Sequence, residues 1–251
     1  MSSLRVSKIA ALARFEFTSF WSGSAGALAL AVFLGLEGAL FYNSASSYAL
    51  ANLSALARGG AMNANLLMFT GGLWDLGLLV ALVAPLTTMR ALAVSADGGH
   101  LDLILSWPLR RRELVLGLFS SSCLSLALLA LLGLGPYVLL LTMNVGSLKI
   151  LLVSYLGLCL LIMAFSAVGL AISSLTRTPL ASALTTLGLL GLLWAVGWAA
   201  PYLPVRIGAL IQGLAFGPRL YHFALGLIDL NDVVYFLAMT LGGLALTKPV
   251  R

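Results

Sequence analysis

Charged residues are scarce in this sequence: Asp, Glu, Lys and Arg together make up 9% of its 251 residues. Soluble domains carry about a quarter charged residues, which cover their surfaces. Apolar residues reach 61%, whereas ordinary soluble proteins have about 45–50%. Because apolar runs of 18 or more residues also recur, the composition argues against a soluble all-helical protein and favours an integral membrane protein.

Cysteine and histidine are also rare, with two of each. Cys123 and Cys159 lie inside apolar runs, which predicts small packing residues rather than a disulfide or a metal site. His100 and His222 fall on opposite sides of the membrane in the topology predicted below, so we do not expect them to share a metal. No metalloprotease, nucleophile-elbow or paired-glutamate pattern occurs. Catalysis by this chain is therefore not expected.

The Gly-rich loop that binds nucleotide phosphates, G-x-x-x-x-G-K-[ST], is missing as well. The nearest stretch, Gly243 to Lys248, is too short and is apolar up to the lysine. We therefore expect no cofactor in this chain. The net charge of +6 comes without aromatic–basic alternation, so nucleic acid is not expected as a partner. Membrane topology explains the excess of Lys and Arg better.

Six apolar runs, each near the ~20 residues that a bilayer requires, predict six transmembrane helices. The predicted spans are Trp21–Tyr42, Leu66–Met89, Leu114–Met143, Leu148–Leu175, Leu180–Ala200 and the shorter Leu230–Thr247. Pro136 lies inside the third span, where neighbouring helices can accommodate a kink. The fold class predicted is a single all-α membrane domain that covers residues 1–251.

Two segments outside these runs have helical patterns of their own. Residues 1–20 place apolar side chains at steps of three and four, with Arg14 opposite, which favours a helix in the membrane interface over a frayed start. Residues 201–229 are amphipathic and are interrupted at Gly217-Pro218, which predicts short re-entrant helices in the outer leaflet. The Ser/Ala/Asn-rich stretch 43–65 is predicted to be an exposed outer loop.

The distribution of Lys and Arg predicts that both termini are cytoplasmic, because basic residues collect in cytoplasmic loops. With that orientation the outer side has four of the fourteen basic residues, and the inner side has the other ten. The four are Arg58, Lys149, Arg206 and Arg219. The inner ten are Arg5, Lys8, Arg14, Arg90, Arg110, Arg111, Arg112, Arg177, Lys248 and Arg251.

Two acidic residues, Glu37 and Asp75, fall inside predicted spans, where a carboxylate is costly and usually faces protein or water. One interpretation is that they line a substrate path or carry protons. The other is that each is hydrogen-bonded between helices or lies near a span end. Asp75 is the stronger candidate for the path, because it is further from the end of its span.

The inner segment between the second and third spans, residues 90–112, is the most organised loop. Ala96 to Gly99 form a turn signal, and Leu101, Ile104 and Leu105 make an apolar stripe. The stripe predicts a short helix that ends at Trp107, because Pro108 disfavours helix at the residue before it. Such a helix is either a contact for a soluble partner or an amphipathic connector.

The stretch from Thr88-Met89-Arg90 through Leu101–Pro108 to Leu116-Gly117 resembles the same region of ABC-2 type permeases, especially the gliding-motility-type branch. Leu220–Phe223 and Gly226–Phe236 are similar to that branch before its last span. The chain departs from the pattern at Ala96–His100, where the family has acidic residues and Gly-Thr, and at Leu118, where a lysine is common.

The resemblance implies the membrane half of an ABC exporter in the cytoplasmic membrane, with ATP and Mg bound by two copies of a separate ATPase. A second permease subunit, identical or different, would complete the complex. The implied ATPase-coupling residues are Asp97, His100, Leu101, Asp102, Leu105, Trp107, Arg110, Arg111 and Arg112. Tyr221, His222 and Asp229 would form an outer gate or the dock for an outer-side protein.

A rival interpretation is an ATP-independent membrane module, either a secondary transporter or a structural anchor of a membrane complex. Glu37 and Asp75 would then carry protons. Inverted-repeat carriers show internal repeats, and none is evident here, which argues against the carrier. A membrane enzyme is a third class, and the lack of clustered catalytic residues argues against it.

Overall fold

The computed structural model describes residues 2–58, 68, 70–89, 91–92, 110–142, 147–199, 202 and 204–247. Every regular element among them is helical, with no strand, which confirms the all-α class. The coupling residues Asp97, His100, Leu101, Asp102, Leu105 and Trp107 lie outside the described residues.

Ten α-helices occur in the described part of the chain. They are α1 (Ser2–Ser22), α2 (Ser24–Leu56), α3 (Thr70–Thr88), α4 (Arg111–Gly133), α5 (Gly135–Thr142), α6 (Leu148–Leu175), α7 (Pro179–Ala199), α8 (Val205–Leu214), α9 (Phe216–Ala224) and α10 (Leu230–Leu246).

Five helical segments are long and apolar enough to cross a membrane: α2, α3, the pair α4–α5, α6 and α7. They correspond to the first five predicted spans. α10 is apolar but has 17 residues, which makes it about 25 Å long beside a hydrocarbon core of ~30 Å. The sixth span therefore remains a prediction.

The third span is broken where its proline predicts a kink. α4 ends at Gly133 and α5 begins at Gly135, so that Pro136 stands in the first turn of α5. Proline has no N–H to donate and is accepted in a first turn, whereas in the helix interior it would disrupt the ladder. The break therefore lies just before the proline.

The outer loop predicted at residues 43–65 is wrong as far as Leu56, because α2 continues to that residue. Alanine and leucine are strong helix formers. The hydroxyls of Ser46 and Ser54 donate to carbonyl oxygens three residues earlier, at 2.9 and 2.7 Å. Weak polarity of the stretch therefore did not prevent helix formation.

The interruption predicted at Gly217-Pro218 lies two residues earlier, at Ala215, which joins α8 to α9. Pro218 stands in the first turn of α9, where its missing N–H breaks no hydrogen bond. Two short helices thus lie between α7 and α10, whereas their re-entrant placement in the outer leaflet stays a prediction.

α6 is the central helix, and it packs against α3, α4, α7, α9 and α10. Glycines allow the closest approaches. A side chain at Gly243 of α10 would meet the Ala167 backbone at 2.8 Å, and one at Gly157 would meet Phe223 at 2.5 Å. Small residues at these crossings bring helix backbones together, as is typical of helices in lipid.

α1 confirms the helix predicted at the start of the chain and lies along α4. Leu12 is completely buried and fits over Gly117, where a β-carbon would meet the leucine side chain at 2.6 Å. Leu12, Leu92, Leu114 and Leu170 belong to a small apolar cluster separate from the main core. This cluster closes the end of the bundle from which α4 starts.

Candidate functional site

A buried carboxylate organises the connection between α9 and α10. Asp232, in the first turn of α10, is 3% exposed. Arg219 Nη1 donates to its Oδ1 at 3.1 Å, and His222 Nδ1 lies 2.7 Å from its Oδ2. Each oxygen of the carboxylate thus has its own partner on α9, which compensates the loss of solvation in a buried charge.

Arg219 extends this network to α8. Its Nη2 donates to the carbonyl oxygen of Gly213 at 2.8 Å, and its guanidinium carbon lies 4.0 Å from the centre of the Tyr235 ring. The Tyr235 hydroxyl donates to the carbonyl oxygen of Leu214 at 2.7 Å. A cation–π contact and four hydrogen bonds therefore tie α8, α9 and α10 together.

The turn between α9 and α10 positions these groups. Gly226 has a φ of +77°, a conformation that glycine adopts without strain. The N–H of Leu227 donates to the carbonyl oxygen of His222 at 3.0 Å, which closes the end of α9. Asp229 caps α10 by accepting from the N–H of Asn231 at 2.9 Å.

The three predicted outer-gate residues have different surroundings. His222 and Asp229 come together with Asp232, with ligand atoms within 4.8 Å of one another. Tyr221 is 44% exposed and belongs to no bond of this network. Because the Arg219 guanidinium already neutralises Asp232, a metal cation there would meet a positive charge. The cluster is better described as an ion-pair network.

Sequence reasoning missed Arg219, Asp232 and Tyr235. A signal was present, since Arg219 and His222 are three residues apart and share one face of α9. We define Arg219, His222, Asp232 and Tyr235 as the outer clamp, a name that follows the predicted orientation of the chain.

The two predicted intramembrane acids are near enough to each other to interact electrostatically. Glu37 of α2 is 2% exposed and faces the Tyr137 hydroxyl of α5 and the carboxyl of Asp75. Asp75 of α3 is half-buried and lies near Ser44 of α2. We define Glu37, Asp75, Tyr137 and Ser44 as the carboxyl pair site.

Gly72 makes this arrangement possible. The Tyr137 hydroxyl rests against Gly72 of α3, where any β-carbon would overlap it. Tyr137 is itself 2% exposed and meets Phe41 edge-on, with ring centres 5.4 Å apart. The break before Pro136 and the missing side chain at Gly72 together allow the phenol to reach Glu37.

No cation compensates the carboxyl pair among the described residues. Within the five long spans, Lys and Arg occur only at the starts of helices, at Arg111, Arg112 and Lys149. Glu37 points into the protomer, while Leu28 and Leu36 on the same helix are 62% and 41% exposed. A path lined by Glu37 would therefore run inside one chain.

At the other end of the bundle, Leu92 and Arg110, the described residues on either side of positions 93–109, are hydrogen-bonded to helices. The N–H of Leu92 donates to Ser173 Oγ of α6 at 3.0 Å, and Leu92 is 1% exposed. At the other end, the N–H of Arg110 donates to Glu113 Oε2 at 2.9 Å, half of a capping box. Arg110 and Arg112 are exposed, whereas the side chain of Arg111 lies outside the described set.

Cys123 and Cys159 are free thiols in α4 and α6. Residues 75–240 match the family described as ABC-2 family transporter protein. The match covers well over half of the chain, from Asp75 through the outer clamp. A search of curated proteins gives no match.

Proposed function

This chain belongs to the ABC-2 family of transporter membrane proteins, and from that premise we propose that it is the permease subunit of an ABC exporter. A separate ATPase, present in two copies, would bind ATP and Mg and drive it. The observation that supports this proposal is that Leu92 and Arg110, which flank positions 93–109 in the matched region, are hydrogen-bonded to Ser173 and Glu113. The gliding-motility-type branch is part of the proposal and is supported by the motif similarity alone.

Segment 93–109 would be the coupling contact with the ATPase. Its two attachment points, Leu92 on Ser173 and Arg110 on Glu113, join it to α6 and α4. A displacement of the segment would thus reach the central helix and the third span directly. Arg110 and Arg112 point outward beside it, where they can meet acidic residues or lipid phosphates.

The ATPase-bound side would be cytoplasmic, with both termini on that side of the cell's cytoplasmic membrane. A second permease subunit, identical or different, would complete the complex. The carboxyl pair site and the outer clamp then belong to the outer half, since Asp75 is five residues after the start of α3 and Tyr137 two after the start of α5.

The cargo would be lipid-linked, amphipathic or otherwise hydrophobic, because the spans are almost wholly apolar. Glu37 and Asp75 would be the polar positions along its path. The outer clamp, with Tyr221 and Asp229 beside it, would act as the outer gate or as the dock for an outer-side protein.

The test is co-purification with the ATPase encoded beside this chain, in mild detergent. We expect Leu101→Asp/Leu105→Asp to abolish ATPase recovery, because two carboxylates would be placed in an apolar contact. The matched control Leu101→Met/Leu105→Met keeps volume and polarity and should recover the ATPase fully. Full recovery with the double Asp variant, at normal membrane insertion, would contradict the coupling contact.

The carboxyl pair favours a second candidate function, an ATP-independent carrier in which Glu37 and Asp75 bind protons or a cation. Proteoliposomes that contain this chain without ATPase decide between the two. Transport driven by a proton gradient alone, and lost in Glu37→Gln, would support the carrier. Transport that requires the ATPase and ATP would support the exporter.

A further inference from the structure

A groove of about 680 Å³ lies between α1, α4 and α6, outside every site described above. Its volume falls within the ~300–1,000 Å³ of ligand pockets. The lining is almost entirely apolar, and Arg14 of α1 is its one charged residue. The groove is open along one side, so that an occupant can enter from the membrane.

Small side chains on two facing helices create this space. Ala10 and Ala13 of α1 face Ser120 and Ala127 of α4 across it. Next to them, Leu12 lies on Gly117 and sets the distance between the two helices. Because the groove is open and almost entirely apolar, an apolar group from the surrounding membrane can fill it.

The dimensions suit one acyl chain. The α4 side of the groove runs from Ser120 to Leu131, a separation of eleven residue steps or about 16.5 Å at the rise of an α-helix. One leaflet contributes half of the ~30 Å hydrocarbon core, about 15 Å. Leu124, in the middle of this stripe, is 54% exposed, as expected for a side chain in contact with lipid.

The charge at the groove indicates the headgroup. Arg14 is exposed, and the ion pairs of the described residues do not include it. A guanidinium binds phosphate oxygens in its planar fork, and basic residues near the membrane surface attract anionic lipids. An amphipathic α1 in the interface would hold Arg14 at headgroup level.

We propose that this groove binds one anionic glycerophospholipid, with an acyl chain along α4 and the headgroup phosphate at Arg14. The lipid fills the space between α1 and α4 and holds the first helix against the bundle. This site does not rest on the transport function, because it requires only that the chain lies in a membrane.

The test is native mass spectrometry of the purified full-length chain, titrated with phosphatidylglycerol or phosphatidylcholine of identical acyl chains. For the wild type we expect one tightly retained lipid and about a five-fold preference for phosphatidylglycerol, the factor that one basic residue near an anionic surface contributes. Arg14→Gln should lose the preference and keep the bound chain. Leu124→Trp should fill the groove and lose both lipids.

Two controls match these variants. Arg177→Gln removes an exposed arginine from the α6–α7 turn, and Leu184→Trp alters a leucine of α7 that is 60% exposed. Neither residue lines the groove, so both controls should behave like the wild type. Equal retention of the two lipids by the wild type, or an unchanged preference in Arg14→Gln, would overturn the proposal.

A measurement on the unsubstituted chain removes any dependence on folding of the variants. Phosphatidylglycerol with a photoreactive acyl chain should crosslink to peptides that contain Ala127 or Ala13. Crosslinks spread evenly over all exposed spans would show ordinary surrounding lipid and overturn the site. A change of subunit number in Leu124→Trp, with lipid retention intact, would show that a protein helix occupies the groove instead, and would also overturn it.

Discussion

The outer clamp and the carboxyl pair site both bury an acidic side chain, and they compensate it in opposite ways. Asp232 has a guanidinium and an imidazole on its two oxygens. Glu37 has a neutral phenol and a second carboxyl beside it. A buried charge with matched partners joins structural elements, whereas one without a cation is costly and suggests a functional role. The outer clamp therefore holds helices together, whereas the carboxyl pair site is the better candidate for binding a ligand.

The largest effect should follow loss of the cation in the clamp. Arg219→Met leaves Asp232 buried with His222 as its remaining partner. We expect the free energy of unfolding to fall by about 3 kcal/mol, which is the lower end of the range for a broken buried ion pair. The lower end applies because the Arg219 side chain is 20% exposed. Thermal unfolding in detergent measures this. The double variant Arg219→Met/Asp232→Asn should recover much of the loss, and a double variant as unstable as the single would argue against ion pairing.

Replacing the buried acid by its amide should have different effects on stability at the two sites. Asp232→Asn weakens hydrogen bonds to a charged group, each worth about 1.5–3 kcal/mol, so it should lower stability by about 2 kcal/mol. Glu37→Gln removes a carboxyl that no cation compensates, so stability should stay equal or rise. Thermal unfolding of the two variants, measured in parallel, checks this difference in stability. A marked loss of stability in Glu37→Gln would show that Glu37 has a structural partner like that of Asp232.

A third substitution tests how the carboxyl pair site is built. Gly72→Ala places a methyl group where the Tyr137 phenol lies, and overpacking of this kind costs about 1–3 kcal/mol. A β-carbon at Gly38 of α2 would meet no neighbouring atom within 4 Å, so Gly38→Ala should be neutral or slightly stabilising. If both alanines have the same effect in thermal unfolding, the close approach of Tyr137 to α3 is wrong.

The smallest effect concerns the cap beside the clamp. Asp229→Ala removes the acceptor for the Asn231 N–H and should cost about 1 kcal/mol. Tyr221→Phe, at an exposed neighbour outside the network, should leave the melting temperature unchanged. An effect of Asp229→Ala as large as that of Arg219→Met would place Asp229 inside the clamp rather than next to it.

Some features of the fold were predictable because they depend on nearby residues. The break before Pro136 follows from a missing N–H, and the spans follow from runs of apolar side chains. The end of α2 was missed because Ser, Ala and Asn between residues 43 and 56 are compatible with both helix and loop. Their helical hydrogen bonds become visible only in the structure.

The candidate sites were predictable only in part. Glu37 and Asp75 stand out because acids are rare in apolar spans. Their proximity to Tyr137 depends on the missing side chain at Gly72 and on how α2, α3 and α5 are rotated about their axes. Arg219 was first counted as an outer-loop charge, and its pairing with Asp232 depends on the turn at Gly226 that folds α9 back on α10.

By itself, the sequence determined that this protein belongs in a membrane, where its five long apolar helices lie and which family it matches, because hydrophobicity and motifs are properties of short stretches of chain. Tertiary structure alone decided which buried acid has a cation, which has another acid, and where a lipid-sized groove remains. Those outcomes depend on which faces of distant helices meet, and helix rotation and spacing are set by packing across the whole bundle.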